Sequence, residues 1–173
     1  MIWYTFTMTE EILDIVDDND NVIGTLPRSE VYAKDTHNIR VINCFIRNSK
    51  GELWIPRRVA TKKLFPLCLD MSCGGHVSSG ETYEEAFTKE MREELSIDTS
   101  ITLWKEIGTF NPKEHGVGAF MKVYEVQQDT VPEFNPEDYF EYLWLTPTAL
   151  LEKLENGEAT KSDLPKLVKL LYM

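Results

Sequence analysis

Residues 74–97 read GGHVSSGETYEEAFTKEMREELSI, a glycine-rich turn feeding a segment crowded with glutamates. Thr82-Tyr83-Glu84-Glu85 has the spacing of a capping box. The Thr82 hydroxyl can accept from the Glu85 amide while the Glu85 carboxylate reaches back. This predicts a helix with Thr82 as N-cap, continuing to about Leu95. Within it Glu90, Glu93 and Glu94 fall at i, i+3 and i+4 and share one face. Tyr83, Phe87, Met91 and Leu95 recur at every fourth residue, an apolar stripe suited to packing on a sheet. Lys89 and Arg92 lie to the other side of the acids. Three carboxylates on one face repel one another unless a cation compensates. Hard oxygen ligands at this spacing suit Mg²⁺ or Mn²⁺; a solvated acidic face is the alternative. Gly74-Gly75 and Gly80 let the backbone fold tightly and come close to a bound group, and Glu81 adds a fourth acid at the helix start.

Outside this segment the chain bounds its own class. Its 173 residues suit one domain with small appendages and can bury a core without disulfides or structural metals. Hydrophobic content of 42% excludes a disordered chain, and no apolar run is long enough to span a bilayer. The balance of charge, 18 − 29 = −11, disfavours binding of nucleic acid polymers. It leaves room for a small phosphorylated ligand, because local cations or bound metals reverse the field inside a cleft. Cys44, Cys68 and Cys73 include no CxxC pair and read as free thiols of a cytoplasmic protein. The opening MIWYTFTM lacks a basic n-region and reads as an N-terminal extension over residues 1–9, able to add an edge strand or a homodimer contact.

Residues 10–26 read as a β-hairpin turning at Asp17–Asn21. That acidic turn invites calcium, but Gly24 does not fall where a calcium loop needs it. Pro27 opens a short helical piece through Lys34. Strands follow at Ile39–Arg47 and Glu52–Arg58, then a loop over Val59–Leu69 and a strand over Asp70–Val77. Beyond the glutamate helix, Ile101–Phe110 and Gly118–Val126 read as strands around a loop at Asn111–Val117. A polar loop at Gln127–Glu137 leads to a strand at Tyr139–Leu145. Thr146-Pro147 opens one helix, ended by Gly157, and residues 163–172 form an amphipathic last helix. Strands with helices inserted at uneven spacing indicate a mixed sheet between helices, in one domain over 1–173.

Gly75, the five residues HVSSG, Glu81, the seven residues TYEEAFT, and Lys89-Glu90-Met91-Arg92-Glu93-Glu94-Leu95-Ser96-Ile97 together resemble the motif of the Nudix hydrolases. That motif is G-x5-E-x7-R-E-U-x-E-E-x-G-U, with U bulky and aliphatic. The spacing matches over 23 positions, residues 75–97, with all four glutamates present. Lys89 stands where the family has Arg and loses its bidentate fork. Ser96 stands where the family has Gly and is strained if the helix ends left-handed there. The resemblance implies an α/β protein of the Nudix fold, an α/β/α sandwich around a mixed β-sheet. It implies cleavage of a diphosphate linked to another moiety, usually in a nucleoside derivative. By position Glu90, Glu93 and Glu94 become the expected catalytic and metal-binding residues, with Glu81 assisting as a metal ligand. One glutamate acts as base; outside the motif the candidate acids are Glu114, Glu137, Asp138 and Glu141. Nudix-like domains that bind nucleotides without hydrolysis supply the alternative.

The resemblance extends over roughly residues 10–157, through DIVDDNDNVIGTLPRSEV, His37, NSKGELWIPRRVATKKLFP and LDMSCGGHVSSGE. These look like the Nudix branch close to type I isopentenyl-diphosphate isomerase. In that branch Arg57, Arg58, Lys62 and Lys63 are placed to meet substrate phosphates; Arg58, Lys63 and Arg57, with Gly75, are the expected substrate-binding residues. The isomerase needs a cysteine directly before its Gly-His, where this chain has Gly74. Cys73 is one residue too early, and a one-residue shift in a strand turns the side chain to the opposite face. Trp54, Trp104, Phe120 and Trp144 could stack a base, but aromatics in strands are usually core.

Overall fold

The structure, a computed structural model, describes residues 10–173; the extension at 1–9, and the edge strand or dimer contact expected of it, lie outside the described residues. The elements are β1 (Ile12–Val16), β2 (Val22–Pro27), α1 (Arg28–Ala33), β3 (Arg40–Arg47), β4 (Leu53–Arg58), β5 (Cys73–His76) and α2 (Tyr83–Leu95). There follow β6 (Trp104–Phe110), α3 (Pro112–His115), β7 (Phe120–Gln127), β8 (Tyr139–Leu145), α4 (Pro147–Glu155) and α5 (Leu164–Tyr172).

β1 and β2 form the antiparallel hairpin, with Ile12 opposite Pro27. Its turn is held by the Asp17 carboxylate, which accepts from the Asn19 and Asn21 amides at 2.8 and 2.9 Å. The larger sheet runs β6-β7-β3-β4-β8, mixed because β3 and β7 are parallel. On its other edge β3 is shared: β4 meets it at Arg47–Leu53, and β5 takes the half from Val41 to Cys44. The fork between β3 and β4 is closed by Ser72, whose hydroxyl accepts from the Ile46 amide at 2.8 Å and donates to the Trp54 carbonyl at 2.6 Å. Asp70–Ser72, expected as strand, therefore lie in the fork, and only Cys73–His76 pair with β3.

Alternation along β3 separates two cores. Ile42, Cys44 and Ile46 face α2 with Phe87, Met91 and Leu95, while Phe45 faces α4 and α5 with Leu150, Leu164 and Leu167. This is the α/β/α sandwich expected, carrying an N-terminal hairpin packed through Leu13, Val31, Ile39 and Ala119. Two boundaries differ from expectation. Ile101 and Leu103 read as strand but are exposed, and pairing begins at Trp104. The loop at Asn111–Val117 contains the single turn α3, whose N-cap is the Asn111 side chain. Trp54 is buried, and Trp104 and Trp144 pack against the same core, so these three are structural.

α2 begins and ends as its residues dictate. Thr82 and Glu85 form the reciprocal capping box, and Ser96 at the C-cap takes the left-handed conformation, φ 53°. A serine there is strained where glycine is not. Replacing Ser96 with Gly should raise the unfolding free energy by about 0.5–1 kcal/mol, part of the strain relief being lost to the freer unfolded chain. Urea denaturation of both proteins checks this.

Candidate active site

α2 lies over β5 so that its glutamates meet the glycine pair. Glu90 sits so close above Gly75 that a Cβ at that position would lie 2.3 Å from the Glu90 carboxyl carbon. The first glycine of the motif is thus needed for room. Glu94 is held from below: Tyr139 at the start of β8 donates its hydroxyl hydrogen to the carboxylate at 3.0 Å, and the Gly74 amide donates at 3.4 Å. Glu93 points outward and is exposed. Glu81 is tied differently. Its carboxylate oxygens take Lys89 Nζ at 3.0 and 2.8 Å, and one also accepts the Ser78 amide at 3.0 Å. Lysine at the position of the family's arginine therefore still spans both oxygens, as a point charge rather than a fork.

These groups form one wall of a cleft of about 490 Å³. α2 supplies Lys89, Glu90, Glu93 and Glu94; the hairpin arm supplies Glu11 and Arg28; the loop before β8 supplies Asn135 and Asp138. Sequence reasoning missed Glu11, Arg28 and Asn135. The hairpin register carried a signal for the first two, since pairing Ile12 with Pro27 brings the neighbouring Glu11 and Arg28 together. Asp138 is the one outside-motif acid of the four candidates that lines this cleft; its carboxylate pairs with Lys62. Glu141 pairs with Arg57 at 2.8 Å, and Glu114 and Glu137 are exposed.

Of the cationic candidates only Lys62 reaches the edge of this cleft, through its pair with Asp138. Arg57 bridges Glu141 and Glu158, both at 2.8 Å, and Arg58 pairs with buried Asp70 at 2.7 Å. Lys63 is exposed on the loop after β4. The two nearby histidines are each tied elsewhere: His76 meets the Tyr32 hydroxyl at 3.0 Å, His37 the Gly118 carbonyl at 3.0 Å. Burial holds the His76 imidazole neutral, its pKa lowered to about 3. Cys73 is wholly buried under α2, and burial pushes its thiol far above the ordinary range.

The cleft is electrostatically incomplete by itself. Burial, then the neighbouring Glu94 charge, pushes the Glu90 carboxyl up to about 8, with Lys89 opposing. Burial likewise pushes Glu94 up to about 7. Both carboxyls would therefore be relieved by a cation. The donor set, all carboxylate oxygen, fits a hard divalent ion. In the rotamers present, no three His, Cys, Asp or Glu side chains among the described residues already converge as a closed ligand set. Glu90 and Glu94 are the more buried part of the set and Glu93 its exposed outer member.

A stability consequence follows from the raised acids. The folded pKa of Glu90 lies above the unfolded value of about 4.3, so the fold favours the protonated form and loses stability as pH rises from there towards 8. In metal-free protein at pH 8, Glu90→Gln should raise stability by about 1–3 kcal/mol, several degrees in Tm, with the gain vanishing near pH 4. Thermal melts across pH in chelator check it.

The NUDIX domain matches residues 37–165 of the chain. An uncharacterized Nudix hydrolase of Nostoc sp. is 52% identical over 162 residues, covering 94% of this chain and 96% of its own length. The crystal structure of a Deinococcus radiodurans protein superposes with a TM-score of 0.88 at 45% identity, covering 94% of this chain and all of that one. The isopentenyl-diphosphate isomerase of Salmonella heidelberg is more distant, 28% identical over 141 residues, 79% of this chain and 78% of its own. With the motif glutamates on the cleft wall and Gly74 where the isomerase has its cysteine, the chain belongs to the Nudix hydrolase superfamily, in the branch near type I isopentenyl-diphosphate isomerase.

Proposed function

We propose that this protein hydrolyses a phosphoanhydride bond in a nucleoside diphosphate derivative, using Mg²⁺ or Mn²⁺ held by Glu90, Glu93 and Glu94. The observation that carries this reading is Glu90, Glu93 and Glu94 of α2 together along the wall of an acidic cleft, two of them destabilised as anions. A divalent ion bound there supplies charge screening for the phosphates and a Lewis acid for the attacking water. Glu94, fixed by Tyr139 and Gly74, keeps a constant position under the cleft floor. Glu93, exposed at the mouth, is the carboxylate free to accept the water's proton, whereas Asp138 would first have to leave Lys62. Glu81 acts through Lys89, whose ammonium it holds 4.0 Å from Glu90. Lys63 is available for substrate phosphates, whereas Arg57 and Arg58 would have to leave their present partners. A cytoplasmic setting suits the three free thiols, and no described helix is long and apolar enough to cross a membrane. A homodimer belongs to the same proposal and is settled by sedimentation.

The isomerase reaction lacks its thiol, because Cys73 is sealed in the core. The test is a panel of nucleoside di- and triphosphates, nucleotide sugars, dinucleotides and isopentenyl diphosphate, each with Mg²⁺ or Mn²⁺ and with chelator. The expected result is metal-dependent cleavage of at least one nucleoside compound. Tight nucleotide binding with no cleavage of any compound would replace the hydrolase by a binding module.

A further inference from the structure

Strict alternation along β8 would put Tyr139 on the wrong face of the sheet. Leu143 and Leu145 pack towards α4 and α5, and Trp144 packs towards α2. A straight strand would therefore send Tyr139 the way of Leu143. The register with β4 prevents this. Glu141 pairs with Arg57, but Tyr139 pairs with Arg58, so Phe140 is the extra residue of a bulge. A bulge of one residue turns over every side chain beyond it. Phe140 is left exposed, and Tyr139 is buried in the core under α2. Its ring stands edge-on to Trp54, with centroids 6.1 Å apart.

A tyrosine turned into an apolar core needs a partner for its hydroxyl. The partner is the Glu94 carboxylate, through Oε2 at 3.0 Å. The Gly74 amide points at the same oxygen, at 3.4 Å. Oε1 accepts from no amide, hydroxyl or ammonium among the described residues, and it is the oxygen left to the cleft. The loop before β8 holds the backbone of the same residue: the Asn135 amide donates to the Glu94 carbonyl at 2.8 Å. Glu94 is thus gripped at both ends by one short segment, Asn135 to Tyr139.

We infer that Tyr139 is a positioning residue for the metal site, aimed by the bulge at Phe140 so that Glu94 presents one oxygen, Oε1, to a divalent ion. The inference rests on the hydrolase reading for the ion. Tyr139 acts only through Glu94. A carboxylate already held in one rotamer loses less freedom when it takes an ion, and hydrogen-bond partners of this kind contribute about 10–100-fold in metal affinity.

Mn²⁺ titration of the whole chain, with the free ion followed by electron paramagnetic resonance and no substrate present, tests this. Tyr139→Phe keeps the ring and its packing on Trp54 and removes only the hydroxyl. It should weaken Mn²⁺ binding about tenfold. Tyr142→Phe, which alters a half-exposed ring on the same strand, should bind as wild type does. A cycle with Glu94→Gln separates positioning from packing. When the amide oxygen of that variant takes the Tyr139 hydroxyl, its NH₂ replaces Oε1 and nothing remains to be positioned. Adding Tyr139→Phe to Glu94→Gln should therefore change affinity by less than about twofold. Equal weakening in both backgrounds would mean a general loosening of the core and overturns the inference. Tyr139→Phe within about twofold of wild type, with Glu94→Gln weakened, overturns the inference and leaves the hydrolase reading standing. Glu94→Gln equal to wild type, or no Mn²⁺ binding by wild type, overturns the metal set of that reading and the inference with it.

Discussion

Glu94→Gln should lower kcat by about 10²–10⁴-fold, the range for losing a group that holds the reacting centre or moves its proton. The amide keeps the size of the side chain and can still accept the Tyr139 hydroxyl hydrogen, so the fold survives. What disappears is one negative charge from the cleft floor. Glu93→Gln should reduce kcat by a similar factor for a different reason. Glu93 is exposed and its side chain, among the described residues, makes no hydrogen bond or ion pair, so its loss acts on the ion or the water alone. Measured together, the two separate a structural from a chemical effect: both lose activity, while melts show Glu93→Gln unchanged and Glu94→Gln unchanged or more stable. Retention of more than a tenth of wild-type kcat in both would remove these carboxylates from the chemistry.

Gly75→Ala should disturb the site strongly for a change of one methyl group. The new methyl carbon would lie 2.3–2.6 Å from three Glu90 side-chain atoms. Either Glu90 swings out of the cleft or β5 separates from α2. The first outcome lowers kcat by about 10²-fold with little change in stability; the second costs about 2–4 kcal/mol as the core under α2 loosens. A double variant decides between them. Adding Glu90→Ala removes the obstructing atoms, so stability should return to within about 1 kcal/mol of wild type while activity stays lost. If Gly75→Ala alone behaves as wild type, the close approach of Glu90 to the glycine is not part of the working site.

Local signals in the chain were legible, and long-range ones were not. The α2 boundaries follow from Thr82, Glu85 and Ser96, all of which act within a few residues of themselves. The two cores follow from alternation in β3 and the four-residue stripe of α2. The extent of β5 did not, because Ser72 belongs to a fork between β3 and β4 that only tertiary pairing creates. The fate of Arg57 depended on Glu141 and Glu158, 84 and 101 residues away, which no spacing rule connects to it. No spacing rule singled out Arg28 either. It became a cleft residue because the hairpin folds back beside the glycine loop, where the Ser79 amide donates to the Ile12 carbonyl at 2.8 Å. Asn111-Pro112 carries a local cap and an N1 proline, and these open the single turn of α3 inside the expected loop.

The central claim is that Glu90, Glu93 and Glu94 hold a divalent ion, and it is tested most directly by titrating Mn²⁺ into the protein and following free Mn²⁺ by electron paramagnetic resonance, with no substrate present. Wild type should bind, Glu93→Gln and Glu94→Gln should each bind at least tenfold more weakly, and Glu158→Gln, outside the cleft, should match wild type. Equal Mn²⁺ affinity in wild type and both motif variants would contradict the account.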